Sequence, residues 1–340
     1  MNLDQLAERL GLSKTTVSRA LAGYPDVSAR TRERVQAAAK THGYQPNPLA
    51  QRLRSGRLDT VGLIVPSDLK PVGDAFFVDQ VTNISRRLAD YGLDLLLSAA
   101  DPGDKELAAL ARLVDGRRVD AMIVVRTQRQ DPRVDYLLDK GVPFVCHGRT
   151  ENAVGYAYVD MDGEASTRLA TEQLIERGHQ VIAFIGLPSS RLTFAWHRKN
   201  GYLRALEEAG LAVDPALVRQ GDGGKAFGER AAKRLLDLQP RPSAMVCGSD
   251  LEAIGALHAI ADKGLVAGRD IAVIGHDDLP EAVLTRPPLA TMRQPHAAVG
   301  VRLAEIVAAL IAGGDALSFQ EIWPPEFVPR ESFGHSLQAA

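Results

Sequence analysis

Apolar residues recur with two different periods along this chain of 340 residues. Near the start, Leu3, Leu6, Ala7 and Leu10 stand at i, i+3, i+4 and i+7, the spacing of one helix face. Asn2 before them, with Gln5 three residues on, has the capping-box pattern that starts a helix, and Gly11 suits its end. Ser13 caps a second predicted helix, Lys14 to Leu21, with Val17, Ala20 and Leu21 inward; Gly23 ends it. Its outer face is Lys14, Thr15, Ser18 and Arg19. Ser28 opens a third helix with Val35, Ala38 and Ala39 inward, stopping near Gly43-Tyr44. Two short helices joined by a tight Gly-containing turn make a helix-turn-helix. The outer face of its second helix holds cationic and hydrogen-bonding groups that suit base edges in a major groove.

A short segment follows, Asn47-Pro48-Leu49-Ala50-Gln51-Arg52-Leu53-Arg54-Ser55-Gly56. Asn47 is a good N-cap and Pro48 a good first helical residue. About two turns of helix are too few to be stable alone, so the segment is expected to order only in context. A leucine presented beside arginines suits a minor-groove wedge.

After residue 58 the period changes. Apolar runs predict strands at Thr60–Val65, Leu93–Ser98, Ala121–Val125, Phe144–His147, Ala157–Asp160, Val181–Ile185, Ala244–Cys247 and Ile271–Ile274. Between them lie amphipathic stretches at Val78–Tyr91, Glu164–Arg177, Arg198–Ala209, Glu229–Asp237 and Leu251–Lys263. This βαβ alternation predicts parallel sheets covered by helices on both faces. The expected fold is therefore an all-α helix-turn-helix head followed by an α/β body. About 280 residues are enough for two doubly wound lobes.

Charge sharpens that division. The whole chain carries a formal −2, which by itself argues against nucleic acid. Residues 1–57 hold ten basic and four acidic residues, a net of +6, which leaves −8 for the rest. A basic head on an acidic body is the pattern of a polyanion-binding unit joined to a separate one. No run of about 18 apolar residues predicts a membrane span. The Met1-Asn2-Leu3-Asp4 start lacks the basic and apolar regions of a signal peptide, so a cytoplasmic protein is expected. Cys146 and Cys247, the two cysteines, each close an apolar run and are expected as buried reduced thiols.

In open α/β sheets, ligands sit beyond the carboxyl ends of the strands. Those ends deliver Ser98, Arg126, His147 with Arg149, Asp160, Asp250 and Asp277. Carboxylates accept from adjacent hydroxyls and arginines donate to oxygens, so the set suits a ligand rich in hydroxyls. Phe76, Phe77 and Phe194 are candidates to cover the apolar face of a sugar, although core packing is the stronger explanation of each. Enzyme patterns are weak. Gly221-Asp222-Gly223-Gly224-Lys225-Ala226 lacks phosphate-loop spacing. His276-Asp277-Asp278 has no second histidine at ligand spacing, and no Gly-x-Ser-x-Gly elbow occurs. No cofactor, metal or catalytic residue is expected.

The residues also identify a family. Leu3-Asp4-Gln5-Leu6-Ala7 followed by Gly11-Leu12-Ser13-Lys14-Thr15-Thr16-Val17-Ser18-Arg19-Ala20-Leu21-Ala22-Gly23 closely resembles the DNA-binding head of LacI/GalR-family transcriptional regulators. Gly43-Tyr44-Gln45-Pro46-Asn47 resembles the lead into their hinge helix. Weaker likenesses follow in the family's order: Val61-Gly62-Leu63-Ile64-Val65-Pro66, Arg198 before Gly201-Tyr202, Ser249-Asp250, Val273-Ile274-Gly275-His276-Asp277-Asp278 and Pro287-Pro288-Leu289-Ala290-Thr291.

The resemblance implies a head over 1–46, a hinge helix over 47–57 and an effector-binding, dimerising body over 58–340 of periplasmic-binding-protein type. Its lobes would be 58–160 with 291–320 and 161–290 with 321–340, joined by three crossings near 161, 290 and 320. Lys14, Thr15 and Arg19 match base-reading positions. Ser13, Thr16, Ser18 and Asn47 match backbone-contacting ones. Ala50 and Leu53 match the minor-groove face of the hinge, with Leu53 as the inserted leucine. Arg198 and Asp277 match effector-gripping positions. Ser249 and Gly223 depart from the Asn and Trp that some relatives carry, so no particular sugar is implied; a sugar acid or sugar phosphate also suits the charged set. The implied function is a homodimeric repressor on pseudo-palindromic operator DNA, switched by a sugar-like effector. The competing readings are a sugar-binding or sugar-modifying protein with an incidental basic head, and an architectural DNA binder without a ligand.

Overall fold

A computed structural model describes residues 1–44, 56–67, 75–151 and 154–334. The chain divides into two compact units, 1–58 and 59–340.

The head is three helices, α1 (Leu3–Leu10), α2 (Lys14–Leu21) and α3 (Ala29–Thr41). The caps explain their bounds. Asn2 and Gln5 form the reciprocal capping box, and Gly11 closes α1 in the left-handed conformation at φ 62°. Ser13 and Ser28 accept the N–H groups of Thr16 and Thr31 at the starts of α2 and α3. Leu6, Val17, Ala20 and Val35 are fully buried between the three helices. The hinge residues Asn47, Ala50 and Leu53 lie outside the described residues.

The body holds two six-stranded sheets. The N-lobe strands are β1 (Thr60–Pro66), β2 (Asp94–Ala100), β3 (Ala121–Val124), β4 (Phe144–His147), β5 (Ala157–Met161) and β11 (Gln320–Trp323), in the order β11-β5-β4-β3-β1-β2. The C-lobe strands are β6 (Ile182–Gly186), β7 (Val218–Gln220), β8 (Ala244–Cys247), β9 (Ala272–Asp277), β10 (Ala290–Arg293) and β12 (Glu326–Val328), in the order β12-β10-β9-β8-β6-β7. All pairings are parallel except β10 with β12. Each lobe thus repeats one doubly wound order, with its switch point between β1 and β3 or between β6 and β8.

Helices cover both faces of each sheet. In the N-lobe, α4 (Ala75–Asp90) and α11 (His296–Ile311) bury Ile84, Leu88, Leu303 and Val307 on one side. On the other, α5 (Asp104–Asp115) and α6 (Pro132–Lys140) bury Leu110, Leu113 and Leu137. In the C-lobe, α7 (Gly163–Glu176) and α8 (Thr193–Glu208) enclose Phe184 and Tyr202. Opposite them, α9 (Gly224–Leu236) and α10 (Asp250–Asp262) enclose Leu235, Ile254 and Ile260. Cys146 and Cys247 are free and buried at their strand ends.

The chain crosses between lobes three times, and two crossings fall later than the sequence implies. β10 pairs β9 and β12, so 290–293 belongs to the C-lobe rather than opening the N-lobe return at 291. β11 pairs β5 through Trp323, so the N-lobe runs past 320. The cause is that β10 adds beside β9, and β11 beside β5, before the chain leaves each lobe. The first and third crossings touch, Asp162 N–H donating to the Trp323 carbonyl at 3.0 Å.

Candidate functional site

Two surfaces carry chemistry. On the head, Lys14 and Thr15 are exposed at the start of α2, with Ser18 and Arg19 one turn on. Ser13 Oγ caps the helix and lies 2.8 Å from Thr16 Oγ1, so these two hydroxyls orient each other. The two cations of this face are held by acids of the head itself. Lys14 pairs with Asp4, and Arg19 Nη2 lies 2.8 Å from Asp26 Oδ2 while its guanidinium covers Tyr24 at 4.5 Å. Both arginine contacts aim the guanidinium while leaving it partly exposed.

The second surface is a cleft of about 900 Å³ between the lobes, walled by the carboxyl ends of strands from both sheets. Arg126 (after β3), His147 (ending β4) and Asp160 (in β5) face it from the N-lobe; Phe194, Arg198 and Asp277 face it from the C-lobe. Phe77 lines it as well. The side chain of Phe76 lies outside the described residues.

At the cleft floor Arg198 is 8 % exposed. Its Nη1 donates to the Gly248 carbonyl and its Nη2 lies 3.3 Å from Asp277 Oδ1. Its Nε is buried without a partner among the described residues. Two further donors converge on the same Asp277 oxygen: Gln294 Nε2 at 2.7 Å and His276 Nδ1 at 3.1 Å. With its proton on Nδ1, His276 accepts from Ser166 Oγ at Nε2, 2.9 Å away. Burial alone raises the Asp277 carboxyl, but Arg198 and His276 outweigh it and hold it below the usual carboxylate range. Burial also pushes the imidazoles of His147 and His276 down to about 4, with Arg198 adding to the effect, so both are neutral at pH 7.

Three expected ligand contacts do not line the cleft. Ser98 sits on the edge strand β2 and accepts from Arg112 Nη2 at 3.0 Å. Arg149 is not a lining residue; it donates to Asp160 Oδ2 at 2.6 Å. Asp250 is buried, its oxygens taken by Thr291 Oγ1 at 2.6 Å and the Leu279 N–H at 2.7 Å. It ties the start of α10 to β10 instead.

Sequence reasoning missed Gln80, Glu252, Gln294 and His296, all of which line the cleft. Gln80 Nε2 lies 3.0 Å from His147 Nδ1 and sets that ring. Glu252 is 1 % exposed, and its Oε2 has no partner among the described residues. Burial, with repulsion from Asp277, pushes its carboxyl up to about 8 against the pull of Arg198, so it is mostly protonated at pH 7. The available signal was a Glu in the first turn of a largely apolar helix, beside Asp250.

Among the described residues no helix is long and apolar enough to cross a membrane, and no cluster of three or more His, Cys, Asp or Glu is arranged to hold a metal ion. A three-helix head with an outward polar helix, joined to two sheets around a polar-floored cleft, defines a DNA-binding protein with a ligand-binding body. Comparison with known proteins gives the same division. Residues 2–47 match the family described as bacterial regulatory proteins, lacI family, and residues 58–324 match periplasmic binding proteins and sugar binding domain of LacI family. The chain belongs to the LacI family of transcriptional regulators.

It is 37 % identical over 331 residues to the HTH-type transcriptional regulator RafR of Escherichia coli, covering 97 % of each chain. The fold matches the transcriptional regulator CelR in complex with cellobiose at a TM-score of 0.75, 31 % identity, over 98 % of this chain and 99 % of that one. It matches the lac repressor dimer bound to operator and an anti-inducer at 0.83 and 27 % identity, over the same shares. With regulators as its relatives, the sugar-modifying reading of the sequence is not favoured.

Proposed function

We propose that this protein is a cytoplasmic repressor of carbohydrate uptake or catabolism genes whose operator affinity is switched by a sugar bound between the lobes. One observation carries the reading: Arg198, buried on the cleft floor and anchored to Asp277 and the Gly248 carbonyl, keeps its Nε donor unpaired. A buried unpaired donor is costly, about 1–3 kcal/mol, and a ligand oxygen relieves that cost. Neutral His147 and His276 and a mostly protonated Glu252 add little charge to the cleft, which suits an uncharged polyol. No reaction is required of the site; it binds and releases.

The switch follows from the connections. Ligand held by both lobes favours one lobe arrangement. β1 of the N-lobe begins just after the hinge residues 47–57, so a change in lobe arrangement is delivered there. Two heads linked in a dimer bind a pseudo-palindrome with raised effective concentration, and separating the hinges removes that gain. Ligand must prefer one state, by about 10⁴-fold for a complete reversal. In this reading Lys14, Thr15 and Arg19 read bases, Ser13, Thr16, Ser18 and Asn47 position the backbone, and Ala50 and Leu53 enter the minor groove.

The test is a thermal-shift screen of the full chain against mono- and disaccharides, sugar acids and sugar phosphates. DNA binding is then measured with and without any ligand found. A neutral sugar is expected to raise the melting temperature and to change salt-dependent binding to a palindromic site. Turnover of the sugar, or no change in DNA affinity at saturation, would sink the proposal.

A further inference from the structure

The rim of the cleft carries a contact between the lobes that is separate from the three crossing segments. Residues 127–129 follow β3 in the N-lobe, and residues 191–193 lead into α8 of the C-lobe. Gln128 and Leu192 form an isolated antiparallel bridge. The Arg129 N–H donates to the Arg191 carbonyl at 3.0 Å, and the Thr193 N–H donates to the Thr127 carbonyl at 3.0 Å. These bonds flank Gln128 and Leu192, which makes that pair the non-hydrogen-bonded kind, with Cα atoms expected about 4.5 Å apart.

Side chains extend the contact. Arg129 Nε and Nη2 each donate to one Glu151 oxygen at 2.8 Å, and the Glu151 N–H donates to the Arg129 carbonyl at 2.8 Å. The guanidinium so fixed lies over the Trp196 ring, 4.7 Å from its centroid. Trp196 is on the first turn of α8, two residues before Arg198. The N-lobe side is built rigidly: Asp131 accepts the Gln128 N–H at 2.9 Å, and the buried Arg133 donates to the Arg126 carbonyl at 3.1 Å.

We infer that Arg129 is a positioning residue of the ligand cleft. By gripping Glu151 and covering Trp196 it clasps the loop after β3 to the start of α8. The clasp closes one side of the cleft and sets the helix that carries Arg198. The inference rests on the proposed function for what the cleft is for, but the clasp itself is testable with no ligand present. Its parts are half-exposed, which makes it weak enough to open and strong enough to bias the lobes toward closure.

The experiment uses the full chain without ligand, carrying Gln128→Cys and Leu192→Cys under mild oxidation. The native Cys146 and Cys247 are buried and not expected to compete. A disulfide between 128 and 192, mapped by mass spectrometry of peptides, is expected in most molecules. Adding Arg129→Ala is expected to slow its formation about tenfold, with Arg129→Lys between, since lysine keeps the charge but not the two-oxygen grip. In a Trp323→Phe background, which leaves Trp196 as the sole tryptophan, Arg129→Ala is expected to raise acrylamide quenching several-fold while the urea midpoint moves little. Absence of the crosslink in folded protein, or a crosslinking rate indifferent to Arg129, overturns the inference. Failure of every sugar to bind while the Arg129-dependent crosslink persists counts against the proposed function alone.

Discussion

Arg198 Nη2 lies 3.3 Å from Asp277 Oδ1, with the two side chains only 10 % and 8 % exposed. One element, α8, supplies the cation; the end of β9 supplies the anion. Removing one partner strands the other charge in a low-dielectric site, which typically costs about 3–5 kcal/mol. Arg198→Ala is therefore expected to lower stability markedly in urea as well as to abolish ligand response. Asp277→Asn also removes the anion, but it keeps the shape and an oxygen that accepts from Arg198, so its cost is expected to be smaller and it is the cleaner probe. It should fold, retain DNA binding, and lose most of the sugar-induced thermal shift. A full shift in that variant would remove Asp277 from the site.

Glu252 makes stability depend on pH in a direction opposite to an ordinary paired carboxylate. Its folded pKa of about 8 lies above the ordinary value of 4.5, with burial as the main cause. The folded state keeps a proton that the unfolded chain releases. Stability from this group is thus full below about pH 4 and falls as pH rises toward 8. Glu252→Gln removes that slope. The variant is expected to gain stability over the parent as pH goes from 5 to 8, by up to a few kcal/mol in order of magnitude. Urea melts at those two pH values decide it; a gap between the chains that does not widen would refute the buried protonated carboxyl.

On the head, Arg19 is committed to Asp26 and stacked on Tyr24. If Arg19 reads a base, Asp26 competes with DNA for it and repels nearby phosphates. Arg19→Ala is expected to lose about 1–3 kcal/mol of specific binding. Asp26→Asn should strengthen binding overall while loosening selectivity, because the guanidinium is no longer aimed. Anisotropy titrations on matched and mismatched palindromes separate the two effects. Unchanged binding in both variants would take Arg19 out of the recognition face.

How much of this was legible in the sequence depended on whether the deciding contact was local. The bounds of α2 follow from Ser13 and the 3.6 period, both local, and the strands Phe144–His147 and Ala244–Cys247 follow from apolar runs. The helices α5, α6 and α11 were not read. The last of these, from His296 to Ile311, is apolar around most of its circumference and gives little amphipathic signal. Strands β7, β11 and β12 are three or four residues long and only partly buried. Site residues split the same way. The strand-end rule found Arg126, His147 and Asp277, but it does not know which strand becomes an edge, and so it included Ser98. It also cannot tell that Thr291, 41 residues on, captures Asp250.

The packing of α9 on α10 sets two principles against each other at one residue. Helix propensity says that Gly255, inside α10, should be replaced with profit, since Ala is favoured by about 1 kcal/mol. The geometry says otherwise. A Cβ at Gly255 would fall 2.1 Å from the Lys225 carbonyl oxygen, and one at Gly228 would fall 2.1 Å from the Glu252 carbonyl oxygen. Each glycine admits the backbone of the other helix, so neither contact is relieved by turning a side chain. The helices would have to separate, and overpacking of this kind typically costs about 1–3 kcal/mol, which exceeds the propensity gain. Gly255→Ala is expected to destabilise the full chain. It should also weaken ligand binding, because α10 carries Glu252 into the cleft wall. Gly313→Ala, beyond the end of α11 where a Cβ meets nothing, is the control: any loss there comes from its φ of 93° rather than from contact. A Gly255→Ala variant as stable as the parent would mean that the two helices are free to shift in solution, and the tight α9–α10 contact would not be what fixes Glu252.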